Sequence, residues 1–209
     1  RRRYCIKQRI MTKKRVLFPI ELNKPNKEVR NYLTNKLNHY VNISNAGVLE
    51  IGIGNGRFGF LLGDKVAHYY GIDIDSEYVE IAKRNIPKKA KITYKVGRAE
   101  EIPFTVYFDV ILYAFSWHFI RDFEKALQEA KRVLKPKGII AILEPSKNTK
   151  GWVDPSLNKA CPEFDREKYK KKLRDIENGR KVILEQKIFT IVEDKYDVET
   201  ARNFYILKK

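Results

Sequence analysis

The 209-residue sequence predicts an α/β protein: a mostly parallel, seven-stranded sheet covered on both faces and closed by a C-terminal antiparallel hairpin. Three observations carry this reading. A short apolar run, residues 47–51, passes directly into glycines at 52, 54 and 56. Further strand-like runs follow at residues 65–72, 91–96, 108–113 and 139–143, with helical patterns between most of them. The strongly apolar ones, 108–113 and 139–143, suit parallel strands buried on both faces. Finally, two long strand-like runs, residues 181–193 and 198–207, are separated only by residues 194–197. That gap is too short for a crossover helix, so the two must pair antiparallel.

Taken in order, residues 1–24 read as an irregular basic arm, with a short extended piece at 16–18. Residues 25–209 read as one domain, since a chain of this length supports a single sizeable core. Asn26 can cap a helix over residues 27–40, where Val29, Leu33, Leu37 and Tyr40 share a face. After the first strand and its glycines comes a short helix, residues 57–62. The second strand ends at Asp73-Ile-Asp75, and Ser76 caps a helix that turns Val79, Ile81 and Ala82 inward before Pro87 stops it. A helix over residues 122–134 sets Ala126, Leu127, Ala130, Val133 and Leu134 at helical spacing, and Lys135-Pro-Lys-Gly138 ends it. A polar helix over residues 163–178 precedes the hairpin.

Composition narrows the setting. Hydrophobic residues at 43% and aromatics at 12% are ample for a packed globule and argue against global disorder. No apolar run reaches the ~20 residues needed to span a bilayer. The basic N-terminus lacks the apolar stretch of a signal peptide. Cys5 and Cys161 match no metal-ligand spacing and suit a reducing compartment, so the expectation is a cytoplasmic protein with no metal site. Abundant Lys and Glu beside only three Gln lean toward a thermophilic source. The formal net charge is +17, and residues 1–30, with eleven Lys/Arg against two Glu, hold +9 of it. An arm of that kind attracts nucleic acid or anionic lipid; its plainer reading is a solvated tail.

The glycine loop is where the chemistry begins. Glycines at alternate positions let a backbone turn sharply and approach a ligand where a Cβ would collide. A loop of this kind between strand and helix is where open α/β sheets take nucleotide-like cofactors. By itself it leaves the ligand open, because Gly54-x-Gly56-x-x-Gly59 also spells a dinucleotide fingerprint.

Other motifs resolve the choice. Glu50-x-Gly52-x-Gly54-x-Gly56, Gly71-Ile-Asp73, Phe108-Asp-Val-Ile-Leu112 with Tyr113-Ala-Phe-Ser-Trp-His118, and Ala126-Leu-x-Glu-Ala-x-Arg-Val-Leu-Lys-Pro-x-Gly138 follow one another across residues 47–144. In that order they resemble class I S-adenosylmethionine-dependent methyltransferases, in particular small-molecule enzymes of the ubiquinone/menaquinone methylation type. The resemblance implies a three-layer Rossmann-like methyltransferase fold of five α/β units and a hairpin. It also implies S-adenosylmethionine as cofactor, S-adenosylhomocysteine as product and a small-molecule methyl acceptor. Two departures stand out. Relatives carry Gly-Asp-Ala where this chain has Gly97-Arg98-Ala99, so an adenine contact falls to backbone near Ala99 or to Glu100. Lys137 replaces a glycine of the Lys-Pro-Gly-Gly turn.

On this resemblance Glu50, Gly52, Gly54, Gly56, Asp73, Ile74, Arg98, Ala99 and Tyr113 are the expected cofactor-binding positions. Asp73 would accept from both ribose hydroxyls, whereas Asp75 better fits a helix N-terminal acid. Ile74 would face adenine or simply pack. Glu50 would favour the cofactor's positive charges, with an ion pair to Arg57 or a lysine as the plain alternative; a pyrophosphate would be repelled there, which disfavours a dinucleotide. Tyr113 would line the methionine end.

Methyl transfer from a sulfonium is an in-line displacement that rests largely on positioning, and a base is needed only if the acceptor must lose a proton. His118 is the candidate base or acceptor contact, with packing beside Trp117 and Phe119 as the alternative; His39 and His68 fall before the active-site ends of their strands. The helix from Lys27 and residues 145–161, with Trp152, are the expected lid and acceptor pocket. The run after strand four is not the Asn/Asp-Pro-Pro-aromatic motif of amino-methylating nucleic-acid enzymes, and neither cysteine sits where a nucleophile would. Two alternatives stay open: RNA methylation using the basic arm, and a binding module that has lost turnover. Oligomeric state is not legible.

Overall fold

The structure, a computed structural model, describes residues 27–145, 182–193 and 196–208, with side chains over 30–143 (His118 excepted) and 206–208. The elements are α1 (Lys27–Asn38), β1 (Gly47–Ile51), α2 (Arg57–Leu62), β2 (His68–Asp73), α3 (Ser76–Arg84) and β3 (Ile92–Val96). They continue with β4 (Phe108–Ala114), α4 (Phe123–Val133), β5 (Leu134–Pro145), β6 (Val182–Glu193) and β7 (Tyr196–Lys208). The seven strands form one sheet in the order β3-β2-β1-β4-β5-β7-β6. β1 to β5 pair in parallel, while β7 runs antiparallel to both β5 and β6. The hairpin closes with Glu193 opposite Tyr196.

Two apolar layers cover the sheet, as strand alternation requires. On one face Val48, Val110, Leu112 and Ala141 meet Leu33 and Leu37 of α1, Phe58, Leu61 and Leu62 of α2, and Val79 and Ala82 of α3. On the other, Leu49, Ile51, Ile111, Ile140 and Ile142 meet Ala126, Ala130 and Val133 of α4 together with Trp117, Ile102 and Phe104. Each fully buried leucine contributes about 1.5–3 kcal/mol over its exposed state. Small alanines on α4 let that helix lie close to the sheet.

Several boundaries differ from the sequence reading, each for a local reason. α1 ends at Asn38, whose side chain accepts from Ile43 N at 3.0 Å and diverts the chain. β2 begins at His68, because residues before it close a turn in which Lys65 N donates to Leu62 O. The cap of α3 is Asp75, which accepts from Glu77 N at 2.9 Å; Ser76 is the first helical residue. Ile81 is only half-buried, and Val79 and Ala82 carry the inward face. Leu134 leaves α4 directly into β5 without a separate turn. Its pairing with Phe108 and the resumed ladder at Val110–Ile139 leave residues 135–138 as an irregularity, pinned by Lys135 Nζ donating to Asp109 at 2.7 Å.

Residues 97–107, between β3 and β4, form no helix, so the expected five regular α/β units are not all present. α4 holds this segment instead: Glu129 accepts from Ile102 N at 3.0 Å, and Arg132 donates to Ile102 O at 3.1 Å and to Glu129 at 2.7 Å. The basic arm, Asn26, Cys5, residues 146–161 with Trp152 and Cys161, and the helix expected over 163–178 lie outside the described residues. No helix among the described residues is long and apolar enough to cross a membrane.

Candidate functional site

The chain goes out from β1 to β3 and returns to β4 on β1's other side, so β1 and β4 flank a topological switch point. In open α/β sheets, ligands bind at the carboxyl ends of the strands beside such a point. Here the backbone is tied down by a dense set of hydrogen bonds. Gly52 N and Ile53 N both donate to Ile72 O, at 2.8 and 3.1 Å, which folds the loop over the tip of β2. Asn85 at the end of α3 donates to Asn55 O at 3.0 Å. Gly97 N donates to Asp73 O at 2.9 Å, bringing the segment after β3 alongside.

Gly52, Gly54 and Gly56 all have positive φ, at 78°, 51° and 82°. Their surroundings separate them. A Cβ on Gly52 would stand 2.6 Å from Ser116 Cβ, and one on Gly56 would stand 2.9 Å from Ala82 Cβ. Nothing lies within 4 Å of the corresponding point on Gly54. The first and third glycines are therefore demanded by packing, and the middle one borders open space.

Asp73 stands at the edge of that space. Its Oδ2 accepts from Gly54 N at 2.9 Å and its Oδ1 from Asp75 N at 3.0 Å. Each oxygen keeps further acceptor capacity. Burial raises its carboxyl above the usual range, opposed by those backbone donors. Next to it Ile74 is 52% exposed, an apolar side chain left in solvent at a strand end.

Glu50 lies beneath the loop, not open to it. It is 1% exposed and accepts from the Tyr69 hydroxyl at 2.9 Å. Desolvation pushes its carboxyl up to about 8; the Tyr69 hydrogen bond and the Arg57 charge work the other way, and Asp73 adds to the rise.

Tyr113 pairs with Ile51 across β1 and β4 and is fully buried, edge-on to Trp117 at 4.9 Å. Its hydroxyl has no hydrogen-bond partner among the described residues. Burial, and then Glu100, raise its pKa. Arg98 Nε lies 3.7 Å from Glu100, and Ala99 is buried against the α4 face. His118 falls in the 3-10 turn Trp117–Phe119 that follows β4, and only its backbone is described. His68, by contrast, opens β2 at the sheet's other end, bonded to Thr93 at 2.8 Å and stacked on Tyr70.

Three neighbours were not anticipated from sequence. Phe115 has φ 57°, a strained value for an aromatic residue, directly after β4. The Ser116 hydroxyl donates to Ile51 O and ties β4's end to β1's. Tyr69 supports Glu50. Strand parity puts Tyr69 on Glu50's face once the β1–β2 register is known; nothing in the residue types marks Phe115.

An acidic pair, Glu50 and Asp73, flanks the glycine loop at the β1/β2 tips of a sheet ordered 3-2-1-4-5-7-6, a Rossmann-like fold that matches solved methyltransferases. Residues 49–142 match a family model described as "Methyltransferase domain". A ubiquinone/menaquinone biosynthesis C-methyltransferase of Vibrio campbellii is 34% identical over 108 residues, which is 48% of this chain and 41% of that protein. A ubiquinone biosynthesis O-methyltransferase of Pelagibacter ubique is 32% identical over 112 residues, 53% of this chain and 47% of that one. The matches span about half the length of these relatives. A SAM-dependent methyltransferase from Aquifex aeolicus superposes with a TM-score of 0.61 over 90% of this chain and 93% of that one, at 21% identity, and so speaks for the fold.

Proposed function

We propose that the chain is an S-adenosylmethionine-dependent methyltransferase acting on a small-molecule acceptor. The observation that carries this reading is the open space at Gly54, whose N–H is held by the Asp73 carboxylate, with the exposed Ile74 next to Asp73 in the chain. A diol-bearing, positively charged nucleoside suits that donor set: a carboxylate for hydroxyls, an apolar side chain for a base, a buried acid for cationic charge. Two carboxyl groups suit a pyrophosphate poorly.

When bound, S-adenosylmethionine supplies a sulfonium-activated methyl group. Asp73 then accepts from ribose hydroxyls and Ile74 covers adenine. Gly52, Gly54 and Gly56 keep the loop backbone close, and Ala99 with Arg98 and Glu100 borders the adenine side. Tyr113 has a spare hydroxyl for the methionine side. Most of the rate then comes from holding two partners in line. We assign to His118, on the turn after β4, the proton of an acceptor that carries one. Its replacement by Asn would lower kcat by about 10²–10⁴-fold in that case. The matched relatives include one carbon and one oxygen methyltransferase, so the acceptor atom is left to experiment. We place the protein in the cytoplasm, with residues 25–209 as one domain.

A tritiated-methyl assay against a metabolite extract and against bulk tRNA tests the reading. Label in a small molecule supports it. Label in tRNA, lost when residues 1–24 are removed, would transfer the activity to the basic arm's substrate. Cofactor binding without label in either would leave a binding module.

A further inference from the structure

Glu50 and Ser116 are the buried polar or charged residues among those described, and Glu50 is the one able to carry charge. Four groups face its carboxyl. From β2 come the Tyr69 hydroxyl, donating at 2.9 Å, and the Asp73 carboxyl. From β3 comes the Tyr94 phenol, whose oxygen lies 3.3 Å from where a Cβ on Gly56 would stand, so it fills the space under the loop. From α2 comes the Arg57 guanidinium, set over the Phe58 ring at 4.9 Å. Two phenols and a second acid thus surround this carboxyl, against one cation.

We propose that Tyr69 is a positioning residue for cofactor binding: its hydroxyl holds the Glu50 carboxyl under the glycine loop, and that carboxyl sheds its proton when a positively charged ligand occupies the crevice. This rests on the functional reading above and adds a proton to it. Burial favours the neutral acid in the free protein. A cation at the loop adds a favourable interaction that only the ionised form can use. The Glu50 O–H bond breaks, its electron pair stays on the carboxylate, and the proton goes to solvent. Tyr69 then donates to the charged oxygen, where a hydrogen bond is about twice as strong as between neutral groups. The Tyr69 phenol stays protonated throughout, since burial and the neighbouring Glu50 raise its own pKa.

Titration calorimetry of the full chain with S-adenosylmethionine, in buffers of different ionisation enthalpy from about pH 6 to 9, counts the protons. The wild type should release close to one proton per ligand near neutral pH, with affinity rising as pH rises. S-adenosylhomocysteine, lacking the sulfonium charge, should release less. Glu50→Gln should bind with that release gone, the ligand's own ionisation being common to both proteins. Tyr69→Phe, which removes a donor to the ionised form, should shift the midpoint of the affinity rise upward by about one pH unit. Thermal melts keep folding defects apart from linkage. Equal proton release in wild type and Glu50→Gln, or an unmoved midpoint in Tyr69→Phe, overturns this inference alone; a wild type that binds neither ligand overturns the functional reading beneath it.

Discussion

Alanine at Gly54 and alanine at Gly56 should separate binding from stability. Both glycines have positive φ, which costs an alanine about 1–2 kcal/mol. At Gly54 nothing further is lost in the folded chain, because the new methyl enters empty space. At Gly56 the methyl would sit 2.9 Å from Ala82 Cβ and 3.1 Å from Ala82 Cα, so the loop or α3 must shift. Overpacking of that kind adds about 1–3 kcal/mol, for a total of roughly 2–5 kcal/mol. In a domain of this size each kcal/mol moves Tm by about 2–4 °C. Denaturant titration should therefore find Gly54→Ala about 1–2 kcal/mol below wild type and Gly56→Ala roughly 2–5 kcal/mol below it. Calorimetry with S-adenosylhomocysteine should give the opposite ranking per unit of stability lost. A methyl intruding on the ligand costs about 1–3 kcal/mol, or ~5- to 150-fold in Kd. Wild-type affinity in a folded Gly54→Ala protein would refute the assignment of that space to the cofactor.

Other outcomes follow from the same geometry. Asp73→Ala removes an acceptor for Gly54 N and Asp75 N as well as the proposed ribose contact, so Kd measured by calorimetry should rise at least ~10-fold, with Asp73→Asn intermediate. The folded protein holds the Glu50 proton up to about pH 8, whereas an unfolded carboxyl loses it near 4.5. Stability from this group is thus full below about pH 4.5 and lost as pH rises toward 8, on the order of 1.4 kcal/mol per unit, so free-protein stability should fall over that window and Glu50→Gln should flatten the fall. Glu129→Ala leaves Ile102 N unpaired and frees Arg132 from its carboxylate, which should lower stability by about 1–3 kcal/mol in urea titration. It should also increase hydrogen exchange across residues 97–104.

The sequence by itself determined the sheet and the loop. Largely apolar runs at residues 47–51, 108–113 and 139–143, separated by helical segments, read as buried parallel strands, and the short gap before residue 198 forced the last pair antiparallel. The acids at 50 and 73 and the glycines between them marked the site by residue type alone. Tertiary structure decided what those residues face. Which glycine is demanded by packing and which borders open space depends on Ser116 and Ala82, brought in from distant elements. The β1–β2 register set Tyr69 against Glu50, giving that buried acid a phenol donor where an ion pair to Arg57 or a lysine was the plain expectation. The irregular passage from β3 to β4 likewise depends on an α4 clamp some 27 residues away in sequence. Local pattern encodes which face a side chain takes, through periods of two and 3.6; partners across strands arise only when register and packing bring remote segments together.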